Sequence, residues 1–174
     1  MARHYLDYAS TAPLRDSARA ALAEALGDQS QGTLGDPGRI HHEGMNARVL
    51  LENAREQVAS LLKAKQREII FTSGATESIT AATWGAVRRC VDKGSPPHIV
   101  FAAVEHSAVR RSSELFASAF GGSVSIVDVD SFGRIDVDAF IDALTPATAL
   151  AHLQWGNHEV GTLQPVAEIA AACR

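Results

Sequence analysis

Residues 98–129, HIVFAAVEHSAVRRSSELFASAFGGSVSIVDV, contain a strand, a helix and a second strand in close succession. The apolar run at 98–102 is typical of a buried strand. A helix is predicted over 107–120 and a further strand over 123–129. Strands that are separated by a helix of this length pair in parallel through a right-handed crossover. This stretch therefore predicts an α/β fold with a mostly parallel sheet.

The same alternation continues on both sides of this stretch. Upstream, the pattern predicts a short strand at 5–8, a helix from Pro13 that Gly27 stops, a loop over 27–40, a helix over 42–63, a strand over 68–72 and a helix over 75–91. Downstream, it predicts a turn over 131–134, a short helix from Asp136 to about 144, a strand over 148–153 and a final helix from Pro165 to 174.

Composition narrows the class of protein. The chain has 174 residues, of which 46% are hydrophobic and 21% charged, as in an ordinary globular domain. Sixteen basic and twenty acidic residues give a net charge of −4, so the charge does not favour nucleic acid or an anionic membrane as a partner. The N-terminus lacks the pattern of a secretory signal and no apolar run is long enough to span a membrane, so we expect a cytoplasmic protein.

A candidate phosphate site lies where a predicted strand leads into a helix, at 72–78 (TSGATES). Gly74 permits a tight turn, and the amides of Ala75 and Thr76 then lie at the helix N-terminus, where the dipole favours an anion. The hydroxyls of Ser73 and Thr76 can add hydrogen bonds. The segment matches neither the P-loop nor the dinucleotide pattern. An ordinary helix cap is the alternative explanation.

Two more polar segments follow predicted strands. Glu105 and His106 come after the strand at 98–102, and GNHEVG at 156–161 follows the strand at 148–153. Taken singly, they are explained by a solvated helix start and by a turn. Ligands of open parallel sheets bind beyond the carboxyl ends of the strands, where a histidine can stack on a flat cofactor or move protons. We therefore expect all three segments to line one crevice.

Other chemistry-bearing residues do not form a second site in the sequence. The His-His-Glu run at 41–43 is half a metal site that nothing completes, so no metal is expected. Cys90 and Cys173 are too few for a disulfide framework and lie on predicted helices, where small thiols are usually packed. The three lysines lie at a helix end or in turns, so none is placed to form a Schiff base.

Five segments, in order, resemble the class V aminotransferase family, specifically its NifS/IscS-like cysteine desulfurases. The family patterns are Y-L-D-x-A-A-T-T-P, G-N-P-S-S-x-H-x-x-G, a phosphate-binding segment, E-H-x-A-V and N-N-E-x-G. Their counterparts here are YLDYASTAP at 5–13, GDPG at 35–38 with His41 and Gly44, EIIFTSGATES at 68–78, EHSAV at 105–109 and NHEVG at 157–161.

The resemblance implies a pyridoxal 5′-phosphate (PLP) enzyme of the fold-type-I transferase class. Residues 1–174 would be the N-terminal part of its cofactor-binding large domain, with a first strand and helix over about 1–27. By this resemblance, Gly74, Ala75 and Thr76 hold the cofactor phosphate. His106 stacks on the pyridine ring and assists proton transfer, and His158 contacts the ring oxygen. The family takes sulfur from L-cysteine to form an enzyme persulfide and alanine, acts as a homodimer and delivers sulfur to an acceptor protein.

The sequence departs from the family at two positions and lacks three functional residues. His158 replaces the second Asn of N-N-E-x-G, and Asp36 replaces an Asn of the substrate-side loop. The pyridinium-binding Asp, the Schiff-base Lys and the sulfur-accepting Cys of the family all come later than residue 174. We therefore expect this chain to be inactive alone, and to need a complementing C-terminal polypeptide that carries the Lys and the Cys.

Three functions remain open from the sequence. The first is a fragment or subunit of a cysteine desulfurase. The second keeps the scaffold and PLP but changes the reaction, to a selenocysteine lyase, another C–S lyase or another class V transferase. The third is a non-catalytic remnant that binds a partner through an exposed sheet edge.

Overall fold

The chain folds into two compact units that divide between Phe71 and Thr72. The computed structural model describes residues 4–27 and 35–174. Over those residues the helices are α1 (Asp16–Leu26), α2 (His42–Leu62), α3 (Ala75–Val91), α4 (Ser107–Ala119), α5 (Val137–Asp142) and α6 (Val166–Ala172). The strands are β1 (His98–Ala102), β2 (Ser123–Val127) and β3 (Thr148–His152), and a short 3-10 helix covers Gln66–Glu68. None of the described helices is long and apolar enough to cross a membrane.

The first unit contains α1, α2 and the 3-10 helix. Helix α1 begins three residues after Pro13, and Gly27 follows it in the left-handed region, at φ 52°, with its N–H donated to the carbonyl of Ala23. The predicted stop at Gly27 is therefore confirmed. Half of the predicted loop over 27–40, residues 28–34, lies outside the described residues. Helix α2 is capped by the side chain of His41, which accepts a hydrogen bond from the backbone N–H of Gly44.

Two strands predicted for this unit are not formed. At 5–8 the chain instead enters a turn, because the carbonyl of Asp7 accepts hydrogen bonds from the N–H groups of Ser10 and Thr11. At 68–72 the pattern misleads because Glu68 closes the 3-10 helix, its carboxylate accepting from the N–H of Lys65 at 2.8 Å. The following residues are extended but pair with no described strand, and a strand needs a hydrogen-bonded partner.

The second unit contains a three-stranded parallel sheet in the order β2-β1-β3. All five residues of β1 are buried, as expected of a central strand with both faces covered. Because side chains alternate across a strand, Val100 and Ala102 pack on one face with Phe140 of α5. Ile99 and Phe101 pack on the other face with residues of α3 and α4. The predicted α/β class and parallel sheet are confirmed.

One glycine in this unit is required by close packing. A Cβ on Gly122, between α4 and β2, would lie 2.0 Å from the carbonyl oxygen of Pro97. No side chain fits at that distance. The N–H of Ser123 donates to the same carbonyl, so this close approach sets the start of the β1–β2 pairing.

We expect Phe140→Ala to lower the free energy of unfolding by about 3–5 kcal/mol, because it empties a fully buried ring site beside β1. Urea unfolding followed by circular dichroism measures this. The matched control is Phe132→Ala, since that ring is 77% exposed and its removal should cost no more than about 0.5 kcal/mol. Equal losses in the two variants would contradict the packing described for this face.

Candidate functional site

The candidate site lies in the second unit, where the N-terminus of α3 and the carboxyl end of β1 meet. Thr76, in the first turn of α3, and His106, at the start of α4, line one cavity of about 290 Å³. The remaining lining residues are Thr80, Ser107, Ala108, Arg111, Ser112, Leu115 and Phe116. Two of the three predicted segments are thus brought together.

The N-terminus of α3 has unused hydrogen-bond donors. Gly74 is its N-cap and offers no side chain, and the first backbone bond of the helix runs from the N–H of Ser78 to the carbonyl of Gly74. Within residues 4–27 and 35–174, no acceptor is bonded to the N–H of Ala75 or Thr76. Orphan amides at a helix N-terminus favour an anion.

Gly74 leaves open space at this point rather than making a strained turn. Its φ of 166° is extended backbone that other residues also adopt. A Cβ added at Gly74 would meet no atom within 4 Å. The tight turn expected at Gly74 is therefore not the reason for a glycine here; what the glycine provides is room beside the free amides.

Ser73 is not available to a ligand, contrary to expectation. Its hydroxyl and its N–H both donate to one carboxylate oxygen of Glu77, at 2.6 and 2.7 Å. These bonds lower the pKa of Glu77, so the carboxylate is ionised near neutral pH. Glu77 thus occupies the Ser73 donors and leaves Thr76 to supply the hydroxyl.

His106 is oriented by the helix that it caps. Its Nδ1 accepts a hydrogen bond from the N–H of Ala108 at 3.1 Å, so the neutral ring carries its proton on Nε2. The ring is exposed and lines the same cavity as Thr76. A neutral imidazole held in this way presents a flat face and one N–H donor.

Glu105 links the end of β1 to the segment after β3. Its Oε1 accepts from the N–H of Gln154 at 2.5 Å, and the side chain of Gln154 donates to the carbonyl of Val104 at 2.7 Å. Burial raises the pKa of Glu105, while the hydrogen bond from Gln154 and the adjacent His106 imidazole act in the opposite direction.

The third predicted segment forms a loop of its own. Asn157 is buried, and its Oδ1 accepts from the N–H groups of Glu159 and Val160 at 2.8 and 3.0 Å. Gly161 has a φ of 76°, which completes the turn. His158 is exposed on this loop and is not among the residues that line the cavity with Thr76 and His106. The expectation of one crevice lined by all three segments therefore holds for only two of them.

Two residues near the site escaped the sequence analysis. Arg111 lines the cavity and brings a cation to it, and only its place one turn after the start of a predicted helix could have indicated this. His152, the last residue of β3, contacts the Oγ1 of Thr83 through its Nε2 at 3.1 Å. Because Thr83 donates its own proton to the carbonyl of Ile79, His152 must be the donor in this contact.

The first unit holds the remaining candidate residues. Asp36 accepts from the N–H of Gly38 at 2.8 Å and pairs with Arg39 at 3.4 Å, so its charge is partly compensated locally. His41 caps α2 and contacts the carboxylate of Glu43 at 3.1 Å. In the described part of the chain, no group of three or more His, Cys, Asp or Glu residues is arranged to hold a metal ion.

Known proteins are similar to this chain in sequence and in architecture. Residues 4–174 match the family model described as aminotransferase class-V. A cysteine desulfurase IscS of Dictyoglomus turgidum is 38% identical over 166 residues, which are 95% of this chain and 40% of that protein. A solved NifS-like protein superposes with a TM-score of 0.83 at 31% identity, over 98% of this chain and 45% of that one. A structure of SspA in complex with cysteine gives a TM-score of 0.82 at 28% identity, over 97% and 47% of the two chains.

These similarities confirm the resemblance that the five segments predicted, together with the fold-type-I architecture. The chain spans about two fifths of the length of the Dictyoglomus relative. What the comparisons establish is therefore the family and the fold of this part.

We expect the free energy of unfolding to fall as the pH drops below about 6.5, in part because of His152. Burial lowers its pKa in the folded chain, so the unfolded state takes up the proton first and gains stability in that window. Urea unfolding between about pH 7.5 and 5.5 measures the slope. The slope should be shallower in His152→Gln and unchanged in the exposed control His4→Gln. Identical slopes in all three proteins would refute the assignment.

Proposed function

The chain belongs to the class V aminotransferase family, and we propose that it is the PLP-binding N-terminal part of a cysteine desulfurase. One observation carries the proposal: the unoccupied amide donors of α3 and the ring of His106 border the same cavity. An anion-binding helix end beside a flat aromatic donor is what a phosphorylated aromatic cofactor requires. The names of the relatives favour sulfur transfer from cysteine among the reactions of such cofactors.

The residues present fit the phosphate end of PLP. Ala75 and Thr76 would donate their backbone N–H groups, and Thr76 would add its hydroxyl. The absence of a Cβ at Gly74 leaves the space that phosphate oxygens need. Arg111, on the same cavity, adds positive charge that favours a dianion.

His106 would stack on the pyridine ring of the cofactor and assist proton transfer. Its face would stack on the pyridine ring, while Nε2–H would donate to or exchange with a group on the substrate side. When bound, PLP supplies an electron sink for the carbanion formed at the substrate α-carbon. His158 would contact the ring oxygen as a hydrogen-bond donor, a role that we carry from the family pattern alone.

The complete reaction requires residues beyond those of the cavity described above. Residues 1–174 would form the N-terminal part of the cofactor-binding domain, and the part of the enzyme that corresponds to the later segments of its relatives would supply the Schiff-base Lys, the pyridinium partner Asp and the nucleophilic Cys. The Cys thiolate would attack the sulfur of L-cysteine, so that the C–S bond breaks, an enzyme persulfide forms and a proton returns to carbon to give alanine. A homodimer and a sulfur-acceptor protein complete the proposal, and the cytoplasmic location stays a prediction.

A second candidate within the family is a selenocysteine lyase or another C–S lyase. Two substitutions favour it: His158 in place of the family Asn, and the carboxylate of Asp36 in the substrate-side segment. The bonds from Gly38 and Arg39 to Asp36 reduce its repulsion of a substrate carboxylate, which favours the desulfurase. Parallel assays of the complete protein with L-cysteine and L-selenocysteine distinguish the two.

We expect Thr76→Val to weaken the binding of pyridoxal 5′-phosphate about tenfold, because one hydrogen bond to a charged ligand is lost. Amide shift changes in a ¹⁵N NMR titration measure the affinity. Thr80→Val is the control, since its hydroxyl already donates to the carbonyl of Thr76 and need not contact the ligand. Pyridoxal without phosphate should leave the Ala75 and Thr76 amides unshifted. Equal shifts with the two ligands would contradict a phosphate site here.

We expect an active preparation to contain, besides residues 1–174, the segments that supply the Schiff-base Lys and the nucleophilic Cys. Intact-mass measurement and a denaturing gel show whether those segments belong to the same polypeptide or to a second one. Such a preparation should yield one alanine for each persulfide formed from L-cysteine, whereas residues 1–174 alone, at 18.5 kDa, should yield none. Turnover by residues 1–174 alone would contradict this division of the functional residues. An inactive native protein without those segments would instead favour a partner-binding remnant.

A further inference from the structure

Glu105 and Gln154 form a reciprocal pair of hydrogen bonds between the two strand ends at the site. The carboxylate of Glu105 accepts from the backbone N–H of Gln154, and the amide of Gln154 donates to the carbonyl of Val104. The side chain of Glu105 thus bonds to the backbone of Gln154, and the side chain of Gln154 bonds to the backbone of the residue before Glu105. Two such bonds between segments 49 and 50 residues apart in sequence restrain both position and rotation.

The pair adjoins the residues that carry the proposed chemistry. His106 follows Glu105 directly, and its ring caps α4, so a shift of the 104–105 backbone would shift the ring. On the other side, the carbonyl of Trp155 accepts from the N–H of Gln164, which anchors the start of the loop that carries His158. Gln154 therefore joins the His106 turn to the base of that loop.

The burial of Glu105 is unusual for a carboxylate that would only contact solvent. The side chain is half-buried and burial raises its pKa, so keeping the carboxylate there is costly. No Lys, Arg or His in the described ranges forms an ion pair with Glu105. Among the described residues, the only hydrogen bond to its carboxylate comes from the backbone N–H of Gln154. The hydrogen bond from Gln154 offsets this desolvation cost, and the same bond fixes the segment after β3.

We propose that Glu105 is a positioning residue: through its hydrogen bond to Gln154, it holds the His106 ring over the cavity bordered by Thr76. This deepens the proposed function and rests on it for the identity of the cofactor. The bond requires an acceptor oxygen rather than a negative charge. The variant Glu105→Gln should therefore preserve the bond to Gln154, whereas Glu105→Ala should abolish it.

Hydrogen exchange at the backbone N–H of Gln154, measured by NMR on this chain without cofactor, tests the bond itself. Glu105→Ala should accelerate exchange at least about tenfold, because it removes the acceptor of a half-buried hydrogen bond. Glu105→Gln should stay within about threefold of the unsubstituted chain, because its amide oxygen still accepts. Glu114→Ala, which removes an exposed carboxylate from α4, should leave the exchange unchanged.

Ring positioning has its own measurement, with pyridoxal 5′-phosphate as the probe. In the unsubstituted chain and in Glu105→Gln, the probe should shift both the Thr76 amide and the His106 ring signals. In Glu105→Ala it should still shift Thr76, while the shift at His106 falls to less than about half, since a displaced ring no longer borders the cavity. Should Glu105→Ala fail to fold, Gln154→Met, which removes only the bond to Val104, should reduce the His106 shift in the same direction.

The outcomes separate this proposal from the proposed function. Unchanged exchange in Glu105→Ala, or equal effects of Glu105→Ala and Glu105→Gln, would overturn the positioning role. Unchanged His106 shifts in Gln154→Met would also overturn it. If the probe shifts neither Thr76 nor His106 in the unsubstituted chain, the cofactor assignment fails, while the exchange measurement still decides the bond.

Discussion

The burial of β1 on both faces is the constraint on which the second unit depends. Its five residues are buried, and the alternation of its apolar side chains divides the core into one cluster with α5 and α6 and another with α3 and α4. A strand that is covered on both sides has only its ends free. Along this part of the chain, polar side chains can therefore reach a ligand first in the segment that follows the carboxyl end of β1. Glu105 and His106 lie in that segment.

The two helices that border the cavity differ in whether the backbone N–H groups at their N-termini have hydrogen-bond acceptors. Helix α4 is capped by the ring of His106, so the group proposed for chemistry also stabilises the fold. Helix α3 has the opposite arrangement: Glu77 binds Ser73, while the amides of Ala75 and Thr76 have no described acceptor. The contrast between a satisfied and an unsatisfied helix end favours α3 as the proposed anion-binding end.

His106 and His152 differ in burial, and their hydrogen bonds differ accordingly. His106 is exposed at the cavity. Its Nδ1 accepts a hydrogen bond from a backbone N–H, which leaves Nε2–H as the donor that can bond to a ligand. His152 lies partly buried at the end of β3, where desolvation lowers its pKa and its Nε2–H bonds to Thr83. Within the second unit, His106 borders the cavity of the proposed cofactor site, whereas His152 joins β3 to α3.

The sequence by itself determined the order of the elements, the parallel pairing and the segments that bear the site, because apolar periodicity and helix-capping residues are local properties. It was wrong about strands at 5–8 and 68–72, since pairing depends on a partner strand that a local pattern cannot reveal. Only the tertiary structure decided that Ser73 is bound by Glu77, that Thr76 and His106 share a cavity without His158, and that Glu105 bonds to Gln154. Those relations join residues through space, and their distances follow from how the helices pack on β1.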